Sequence, residues 1–345
     1  MDVLKDQKTD FKEIVYEKGN WVARITINRP HVYNSYSTNA LEELATAFRQ
    51  AAFDDEVAVI VYTGMGDKAF CTGGDVKEYQ ERYTRSPHDY WKYMRLFGAY
   101  IESIVNTGKP VVARINGMAV GGGNESNLAC DLAVIAEHAW VGQVGAGVGS
   151  VAAGGATQWL PITVGDRRAR YMLMTNRRIP AYQALEWGLV NQVVPSVKKD
   201  GAFIEHATPE QIAQAQKGAD GYSIDLSKLD EAVDALAQEL VDKFAECIRF
   251  TKEQINFWKN FGWHQTIGPA RDWLSIHYTS WEPLEGMSAF VEKRPARYRM
   301  LRERAAQGKS SEFIWGAYEK TCPSCGAKAM PEEFTHCGVC GADLK

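Results

Sequence analysis

Apolar and polar positions recur with different periods in the N-terminal part of the chain. Residues 12–28 alternate and are rich in β-branched side chains around a Lys-Gly-Asn turn, which predicts a β-hairpin. Residues 37–53 follow a helical period, capped by Ser37 or Asn39. Residues 57–63 form a continuous apolar run, typical of a strand buried on both faces. Further helix or strand patterns follow at 87–106, 110–115 and 131–135. This alternation predicts an α/β fold with repeated crossovers.

The pattern changes after residue 194. A polar insertion follows, and then a mostly helical region with wide apolar and aromatic faces over 229–290. Residues 293–309 hold seven basic residues and one acidic residue, which fits the end of the main domain and a linker. We therefore predict a core over 1–195, an insertion and C-terminal helical part over 196–292, a basic linker over 293–320, and a small module over 321–345.

Composition and charge narrow the class of protein. The chain has 345 residues, of which 45% are hydrophobic and 24% charged, and this excludes disorder as the dominant state. No apolar run reaches the roughly 18 residues needed to span a bilayer, and residues 1–13 lack the apolar stretch of a secretory signal. The formal net charge of −4 argues against nucleic acid as the partner of the whole protein. We expect a cytoplasmic protein without a membrane partner.

Four of the seven cysteines are packed into the last 24 residues. Cys322 and Cys325 form one C-x-x-C pair, Cys337 and Cys340 form another, and glycine follows each pair. Thiolates with this spacing are typical of a tetrahedral zinc site, and four protein ligands leave no open position for catalysis. The sequence therefore predicts a zinc ribbon with structural zinc. Disulfide bonds and rubredoxin-like iron are the alternatives, and His336 is not expected to be a ligand.

The cysteine module has few cations of its own. Lys328 and Lys345 are its only lysine or arginine residues after position 320. Nucleic-acid binding depends on many such cations, so we do not expect nucleic acid as its ligand. Binding of a protein partner and fastening of subunits remain open as roles.

Two glycine-rich turns carry the candidate chemistry. Residues 69–75 (AFCTGGD) follow the strand at 57–63, and residues 116–125 (NGMAVGGGNE) follow the strand at 110–115. Glycine lets a backbone amide approach a ligand without a Cβ in the way. Two such turns can direct two amides at one oxygen and stabilise the oxyanion of a thioester. The alternative is that these are turn glycines only, and neither cluster matches a nucleotide-binding fingerprint.

The ordered set of motifs resembles the crotonase (enoyl-CoA hydratase/isomerase) superfamily. The motifs are ITINRPHVYNSYS, KAFCTGGDVKEY, ARINGMAVGGGNESNLACDLAVIAE, GATQWLPITVG and ALEWGLVNQVVP, over about residues 10–195. The resemblance implies an α/β spiral of ββα turns, an acyl-CoA substrate with no further organic cofactor, and a homotrimer or homohexamer. It places the two oxyanion amides at Gly74 and Gly122.

The same resemblance places the first catalytic glutamate of the family at Glu125. This residue falls in the first turn of a short helix beside the predicted oxyanion hole. A carboxylate partly removed from water there can act as a general acid or base. The alternative is a glutamate that only complements the helix dipole. Asn124 and Gln143 are candidates for orienting water.

Contacts to CoA are implied by the resemblance at two loops. The residues in question are His31, Tyr33, Lys68, Ala69, Cys71 and Asp75. We expect Asp75 to stabilise its own turn as well, and we expect Cys71 to be a small packing residue rather than a nucleophile. Phosphates need cations, and Lys68, Arg29 or the basic run 293–304 are the candidates. A solvated helix face is the alternative interpretation of that run.

The sequence departs from ordinary hydratases of the family at residues 142–150 (GQVGAGVGS). Gly145 stands where their second catalytic glutamate would be. The pattern is closer to the ring-opening and ring-closing branch, but Val151 and Ala152 stand where that branch carries an aspartate.

One subgroup of the family resembles this sequence more closely. GSVAAGGATQWLP, the insertion after VVPSVKKDGAFI, and IDLSKLDEAVDALAQELVDKFAECI resemble 6-oxocyclohex-1-ene-1-carbonyl-CoA hydrolases, which extends the resemblance to about residue 290.

This second resemblance implies an enzyme of anaerobic aromatic degradation that hydrolyses a C–C bond. Water would add to the conjugated ring of a cyclic 6-oxo-enoyl-CoA, and ring cleavage would leave an enolate that the oxyanion hole can hold. One alternative is a hydratase or isomerase of an enoyl- or dienoyl-CoA. Another is a non-catalytic crotonase-like binding protein with the ribbon as its interaction module. Trp140, Trp159, Trp263 and Tyr278 are candidate pocket walls, although core packing is the stronger expectation for each.

Overall fold

The computed structural model describes residues 10–309, 315–316 and 318–344. Most of the N-terminal segment on which the expectation about secretion depends, and also Lys345, lie outside these residues. No helix in the described ranges is both long and apolar enough to cross a membrane.

The strands and helices follow the order expected from the sequence. The strands are β1 (Ile14–Gly19), β2 (Val22–Ile27), β3 (Val59–Gly64), β4 (Ala69–Cys71), β5 (Val111–Ile115), β6 (Met118–Val120), β7 (Leu132–Ala136), β8 (Trp140–Gly142), β9 (Arg178–Pro180), β10 (Gln192–Val194), β11 (Val197–Lys199), β12 (Ala202–Ile204) and β13 (Tyr222–Ile224). The helices are α1 (Thr38–Phe53), α2 (Val76–Glu78), α3 (Pro87–Val105), α4 (Gly122–Ala129), α5 (Gly145–Val148), α6 (Ala156–Val164), α7 (Asp166–Thr175), α8 (Ala181–Glu186), α9 (Pro209–Lys217), α10 (Ser227–Val241), α11 (Ala245–His277), α12 (Trp281–Val291) and α13 (Met300–Ala306).

Two sheets build the core, and successive turns of the chain give one strand to each. The larger sheet has the order β1-β2-β3-β5-β7-β10, and the smaller has the order β4-β6-β8-β9. The β1–β2 hairpin is antiparallel, whereas the other pairs of the larger sheet are parallel. The chain therefore runs β3, β4, helix, then β5, β6, helix, then β7, β8, helix. This is the spiral of ββα turns that the motifs imply, and the fold-class prediction is confirmed.

The core is apolar and rich in aromatic side chains. All six residues of β3 are buried, as its unbroken apolar run predicts. Ser37 caps α1 by accepting a hydrogen bond from the amide of Ala40, so of the two predicted caps Ser37 is the one used. Phe48 of α1 packs edge-on against Tyr62 of β3, with ring centroids 5.4 Å apart. Burial of one such side chain contributes about 1.5–3 kcal/mol.

The polar insertion has its own secondary structure. Strands β12, β11 and β13 form a three-stranded antiparallel sheet, and α9 lies between β12 and β13 in the chain. After the insertion, α10 packs across β3, β5 and β7. The long helix α11 contacts α3 and α6, and its opposite side leaves several large apolar side chains exposed.

The basic segment after α12 is packed onto the domain. Glu285, which is buried on α12, accepts hydrogen bonds from the guanidinium groups of Arg294 and Arg297. Arg304 on α13 lies 2.9 Å from the Glu333 carboxylate of the cysteine module. These ion pairs connect the core, the basic segment and the module. The predicted domain boundaries stay a prediction.

Candidate active site

A cavity with a volume of about 90 Å³ opens where the turns after β4 and β6 meet. Gly74, Gly122 and Glu125 line one side. Aromatic side chains form much of the remaining wall. They come from the segment before α1, the turn after α2, helix α3 and the end of α11, and they are Tyr36, Tyr79, Tyr90, Tyr93, Phe97 and Tyr278. The structure therefore brings the three predicted catalytic residues to a single cavity.

The amides of Gly74 and Gly122 have no hydrogen-bond acceptor among the described residues. Their neighbours are satisfied, since the Asp75 amide donates to the Tyr36 carbonyl. Gly73 has a φ of +88°, and a Cβ there would lie 2.9 Å from the Gly122 nitrogen, so the two turns approach closely. Free backbone donors are costly unless a ligand or water pairs with them. Two of them at one cavity are suited to stabilising an oxyanion.

Glu125 is held in a defined position on α4. One carboxylate oxygen accepts hydrogen bonds from the amides of Gly154, at 2.8 Å, and Ala156, at 3.2 Å. The other oxygen accepts no hydrogen bond from any described residue. Burial raises the pKa of Glu125 to about 7, although the two amides act in the opposite direction. A carboxyl group with that pKa can both accept and return a proton near neutral pH.

Position 145 excludes a second carboxylate for a steric reason. Gly145 lines the cavity at the start of α5, and a Cβ there would lie 2.8 Å from the Ser150 carbonyl oxygen. Val151 and Ala152, which follow the Gly-Ser pair where the related branch is expected to carry an aspartate, also line the cavity. Among the described residues that line this cavity, Glu125 is the only carboxylic acid.

A hydroxyl pair occupies the side of the cavity near Gly145. The Ser150 hydroxyl lies 3.1 Å from the Tyr278 hydroxyl, and Tyr90 stacks on Tyr278 with ring centroids 3.6 Å apart. Burial raises the pKa of Tyr278 to about 12, so this phenol keeps its proton and can donate it in a hydrogen bond. We expected Tyr278 to be a packing residue. Its aromatic surroundings agree with that, but it also presents a donor to the cavity edge.

Other members of the tyrosine cluster were not predicted as site residues. Tyr79 on the turn after α2 and Tyr93 on α3 share a hydrogen bond between their hydroxyls, at 2.6 Å. Both line the cavity. For Tyr93 the signal in the sequence was the aromatic richness of residues 87–106, which by itself does not distinguish a core face from a pocket wall. Tyr79 lies outside that range and had no such signal.

The predicted CoA-contact residues lie on two adjoining loops. Asn34 joins these loops, because its side-chain amide donates to the carbonyls of Met65 and Ala69. His31, Tyr33 and Lys68 are exposed on them. Thr72, which lines the cavity, donates to the Tyr33 carbonyl, so these loops adjoin the cavity. This placement fits a ligand that runs from the surface to Gly74.

Three predicted residues have their side chains engaged within the protein. Asp75 caps α2 through the amides of Lys77 and Glu78 and pairs with Arg29 at 3.1 Å. Arg29 also pairs with Glu13 at 2.9 Å, so its guanidinium is committed to the fold rather than free for phosphate. Cys71 is buried on β4 beside Ala69, which agrees with the expected packing role. Burial raises the pKa of its thiol to about 12.

The two candidates for orienting water differ in position. Gln143 lines the cavity and donates to the Gly121 carbonyl, while its side-chain oxygen is buried without a partner. Asn124 is fully buried on α4 and does not line the cavity.

Of the four candidate wall aromatics, Trp159 and Trp263 stack on each other in the core, with ring centroids 5.5 Å apart.

The four clustered cysteines form a candidate metal centre. All four Sγ atoms lie within 4.8 Å of one another. Two Sγ pairs, Cys322 with Cys340 and Cys325 with Cys337, are 3.6 and 3.7 Å apart. A tetrahedral zinc ion with Zn–S bonds of about 2.3 Å requires S···S distances of roughly 3.8 Å. The donor set and its dimensions therefore fit zinc. His336 contacts Thr335 and is not part of the cluster.

Comparison with known proteins agrees with this geometry. Residues 17–219 match the family model described as enoyl-CoA hydratase/isomerase. The chain is 36% identical over 309 residues to a 6-oxocyclohex-1-ene-1-carbonyl-CoA hydrolase of Thauera aromatica, covering 82% of each chain. It is 36% identical over 299 residues to a protein of the same name from Geobacter metallireducens, covering 80% of this chain and 77% of that one.

Solved structures show the same fold. An enoyl-CoA hydratase from Bacillus anthracis superposes with a TM-score of 0.60 at 29% identity. The match covers 83% of this chain and 99% of that protein.

Proposed function

This chain is an enzyme of the enoyl-CoA hydratase/isomerase family, and we propose that it opens the ring of a cyclic 6-oxo-enoyl-CoA thioester by hydrolysis. One observation carries the proposal. Two unpaired amides and a single carboxyl group with a pKa near 7 line the same cavity, while Gly145 leaves no room for a second acid. The hydrolases named above, from Thauera aromatica and Geobacter metallireducens, support the choice of substrate.

The first step we propose is addition of water to the conjugated double bond. The thioester oxygen binds at the amides of Gly74 and Gly122, which stabilise the enolate that forms. The free oxygen of Glu125 accepts a proton from water as it attacks the β-carbon, and the protonated carboxyl returns that proton to the α-carbon. A raised pKa makes both directions of transfer accessible.

The second step is hydrolysis of the C–C bond. A second water attacks the ring ketone and gives a proton to the free oxygen of Glu125. The Tyr278 hydroxyl, held by Ser150, stabilises the oxygen of the tetrahedral adduct. The bond between this carbon and the α-carbon breaks, and its electron pair passes into the thioester as an enolate at the same two amides. The protonated Glu125 carboxyl returns its proton to the α-carbon, which gives an open-chain hydroxydicarboxylyl thioester whose new carboxyl group ionises near neutral pH. The overall reaction consumes two waters and needs no oxidant or reductant.

We also propose zinc as a structural ion at Cys322, Cys325, Cys337 and Cys340. Bound zinc would supply charge neutralisation for the thiolates and a fixed tetrahedral centre. The amide of Val339 lies 3.4 Å from the Cys337 sulfur and donates to it, and the amide of Cys325 lies 3.5 Å from the Cys322 sulfur. Such donors stabilise thiolate charge. The ion would hold the module together and take no part in the reaction.

Assembly into trimers or hexamers is the third part of the proposal. On α11, Phe250, Phe257, Trp258 and Phe261 are 54–65% exposed. A contiguous apolar face of this kind marks an interaction surface, and further copies of the chain are the partners we expect there. Sedimentation velocity would report it, since Trp258→Glu should dissociate the assembly. Binding of another protein through the cysteine module stays a prediction.

Mass spectrometry of reaction products tests the proposed reaction. Incubation with 6-oxocyclohex-1-ene-1-carbonyl-CoA should give a product heavier than the substrate by two waters, with a new carboxylate. A product heavier by one water would instead identify a hydratase. A linear enoyl-CoA serves as the control, and faster turnover of that control than of the cyclic ester would contradict the assignment.

A further inference from the structure

A second cavity adjoins the active-site cavity at Ser150 and Val151, which line both. We call it the distal cavity. It has a volume of about 350 Å³, and α5, α12 and the basic segment up to Arg302 line it. It therefore begins at the side of the active site where Tyr278 meets Ser150, and neither Gly74 nor Gly122 lines it. Neither the family motifs nor the proposed mechanism gives this space a role.

Two residues that line the distal cavity carry hydrogen-bond donors that the protein itself does not satisfy. Trp281 lines it, and its indole N–H is buried without an acceptor. Arg302 lines it, is exposed, and has no acidic partner among the described residues. A buried donor without an acceptor is unfavourable unless a ligand or water fills the position. These two groups are suited to an anion.

Acidic groups at the distal cavity do not cancel these donors. Glu285 is already neutralised by Arg294 and Arg297, at 2.6 and 2.9 Å. Arg297 lies over the Trp281 ring, 5.3 Å from its centroid, and so fixes the indole in place. Glu282 stands at the rim, where its side chain is 62% exposed and solvated, 4.0 Å from His277.

We propose that the distal cavity is a carboxylate subsite, which binds the carboxylate released when the ring opens. This inference rests on the proposed function, because ring opening is what creates a carboxylate remote from the thioester. With the thioester oxygen at Gly74 and Gly122, the far end of the open chain extends past Ser150 and Val151. There it meets the Trp281 N–H and the Arg302 guanidinium. The subsite would favour the open product over the ring and oppose reclosure.

Two CoA esters that differ only at the far end of the acyl chain test the subsite without any turnover. Heptanedioyl-CoA carries a terminal carboxylate, and heptanoyl-CoA ends in a methyl group. The full-length protein should bind the diacid ester about ten- to a hundredfold more tightly in calorimetry, as expected for charge-assisted hydrogen bonds. Arg302→Gln should remove most of this preference without changing the affinity for heptanoyl-CoA. Trp281→Phe should remove part of it.

The controls distinguish a carboxylate subsite from a contact between Arg302 and the phosphates of CoA. Arg49→Gln, which removes an exposed arginine on α1 that lines neither cavity, should leave both affinities unchanged. Equal affinity of the unmodified protein for the two esters would overturn the proposal. So would an equal loss of affinity for both esters in Arg302→Gln, since the arginine would then serve the phosphates. A preference for the diacid ester in a protein that does not open the ring would refute the proposed reaction and leave the subsite standing.

Discussion

The enzyme domain and the cysteine module both depend on short glycine-containing motifs, but different forces stabilise them. In the enzyme domain, a large cluster of buried apolar side chains, including Trp159 and Trp263, surrounds the active site. In the module, the buried apolar core among the described residues consists of Cys322, Cys337 and Leu344. Two of these three are candidate metal ligands. A core this small contributes too little apolar burial to offset the entropy of ordering the chain.

This comparison separates two ways of making a site. The amides of Gly74 and Gly122 are held in place by a scaffold that folds without a ligand, so their geometry exists before substrate arrives. In the module, the proposed zinc ion would make the fold and the metal site one structure, so that neither would exist without the other. Substitutions at the site in the enzyme domain should therefore reduce activity without unfolding that domain. Loss of the metal should instead unfold the cysteine module.

Metal removal is expected to give the largest effect. Structural zinc in small modules contributes an apparent 10–16 kcal/mol of binding free energy, which is also folding free energy. Chelation, or Cys322→Ser, should unfold residues 318–344 and leave the sheets of the enzyme domain folded. Hydrogen–deuterium exchange would localise the loss of protection. Cys247→Ser, at an exposed cysteine outside the cluster, is the matched control. Retained protection in a module shown to be metal-free would refute the proposed dependence.

Substitution of the active-site glutamate is expected to act on chemistry alone. Glu125→Gln keeps an oxygen for the amides of Gly154 and Ala156 but removes the proton acceptor. Turnover should fall by about 10²- to 10⁴-fold, the usual contribution of general acid–base catalysis. The melting temperature should not decrease, because a buried charge is removed. Unchanged turnover on an active thioester would show that Glu125 has another role.

Loss of the phenol hydroxyl should give a smaller and more selective effect. Tyr278→Phe preserves the stacking on Tyr90 and removes one donor, which contributes about 1.5–3 kcal/mol when its acceptor is charged. Ring cleavage should slow by roughly ten- to a hundredfold, and the singly hydrated ring should accumulate. Mass spectrometry would detect it. Tyr62→Phe, which removes a buried hydroxyl in the core, is the comparison. A slower first hydration with no accumulated intermediate would assign Tyr278 to the other step.

The pH dependence should be the mildest effect. Because the pKa of Glu125 is raised to about 7, the basic carboxylate is lost as the pH falls through that value. The kcat/KM for water addition should decline by up to about tenfold for each unit of pH below 7. Stability should change in the opposite direction. A carboxyl whose pKa is raised in the folded state stabilises the fold at low pH, and this contribution is lost as the pH rises toward 7. Thermal melts of Glu125→Gln should lack that component.

The sequence by itself determined the features that are local in the chain. The hairpin at 12–28, the helix starting after Ser37 and the buried strand β3 follow from periodicity and capping within a few residues. The candidate oxyanion amides and the cysteine pairs are equally local, because each is set by neighbouring backbone and glycine. The family was confirmed by a match over residues 17–219, which include both glycine-rich turns but not the cysteine pairs.

Only the tertiary structure decided how distant residues meet. Tyr278 lies 128 residues from Ser150, yet their hydroxyls are 3.1 Å apart. Along α3, Tyr90 and Tyr93 line the cavity whereas Tyr100 packs in the core, yet the three tyrosines recur with one helical period. Likewise, the sequence of residues 293–309 predicts a basic linker. Only the structure shows that its arginines pair with Glu285 or line the distal cavity. Local backbone preferences act over a few residues, whereas a cavity wall is made by packing, which depends on every helix placed around it.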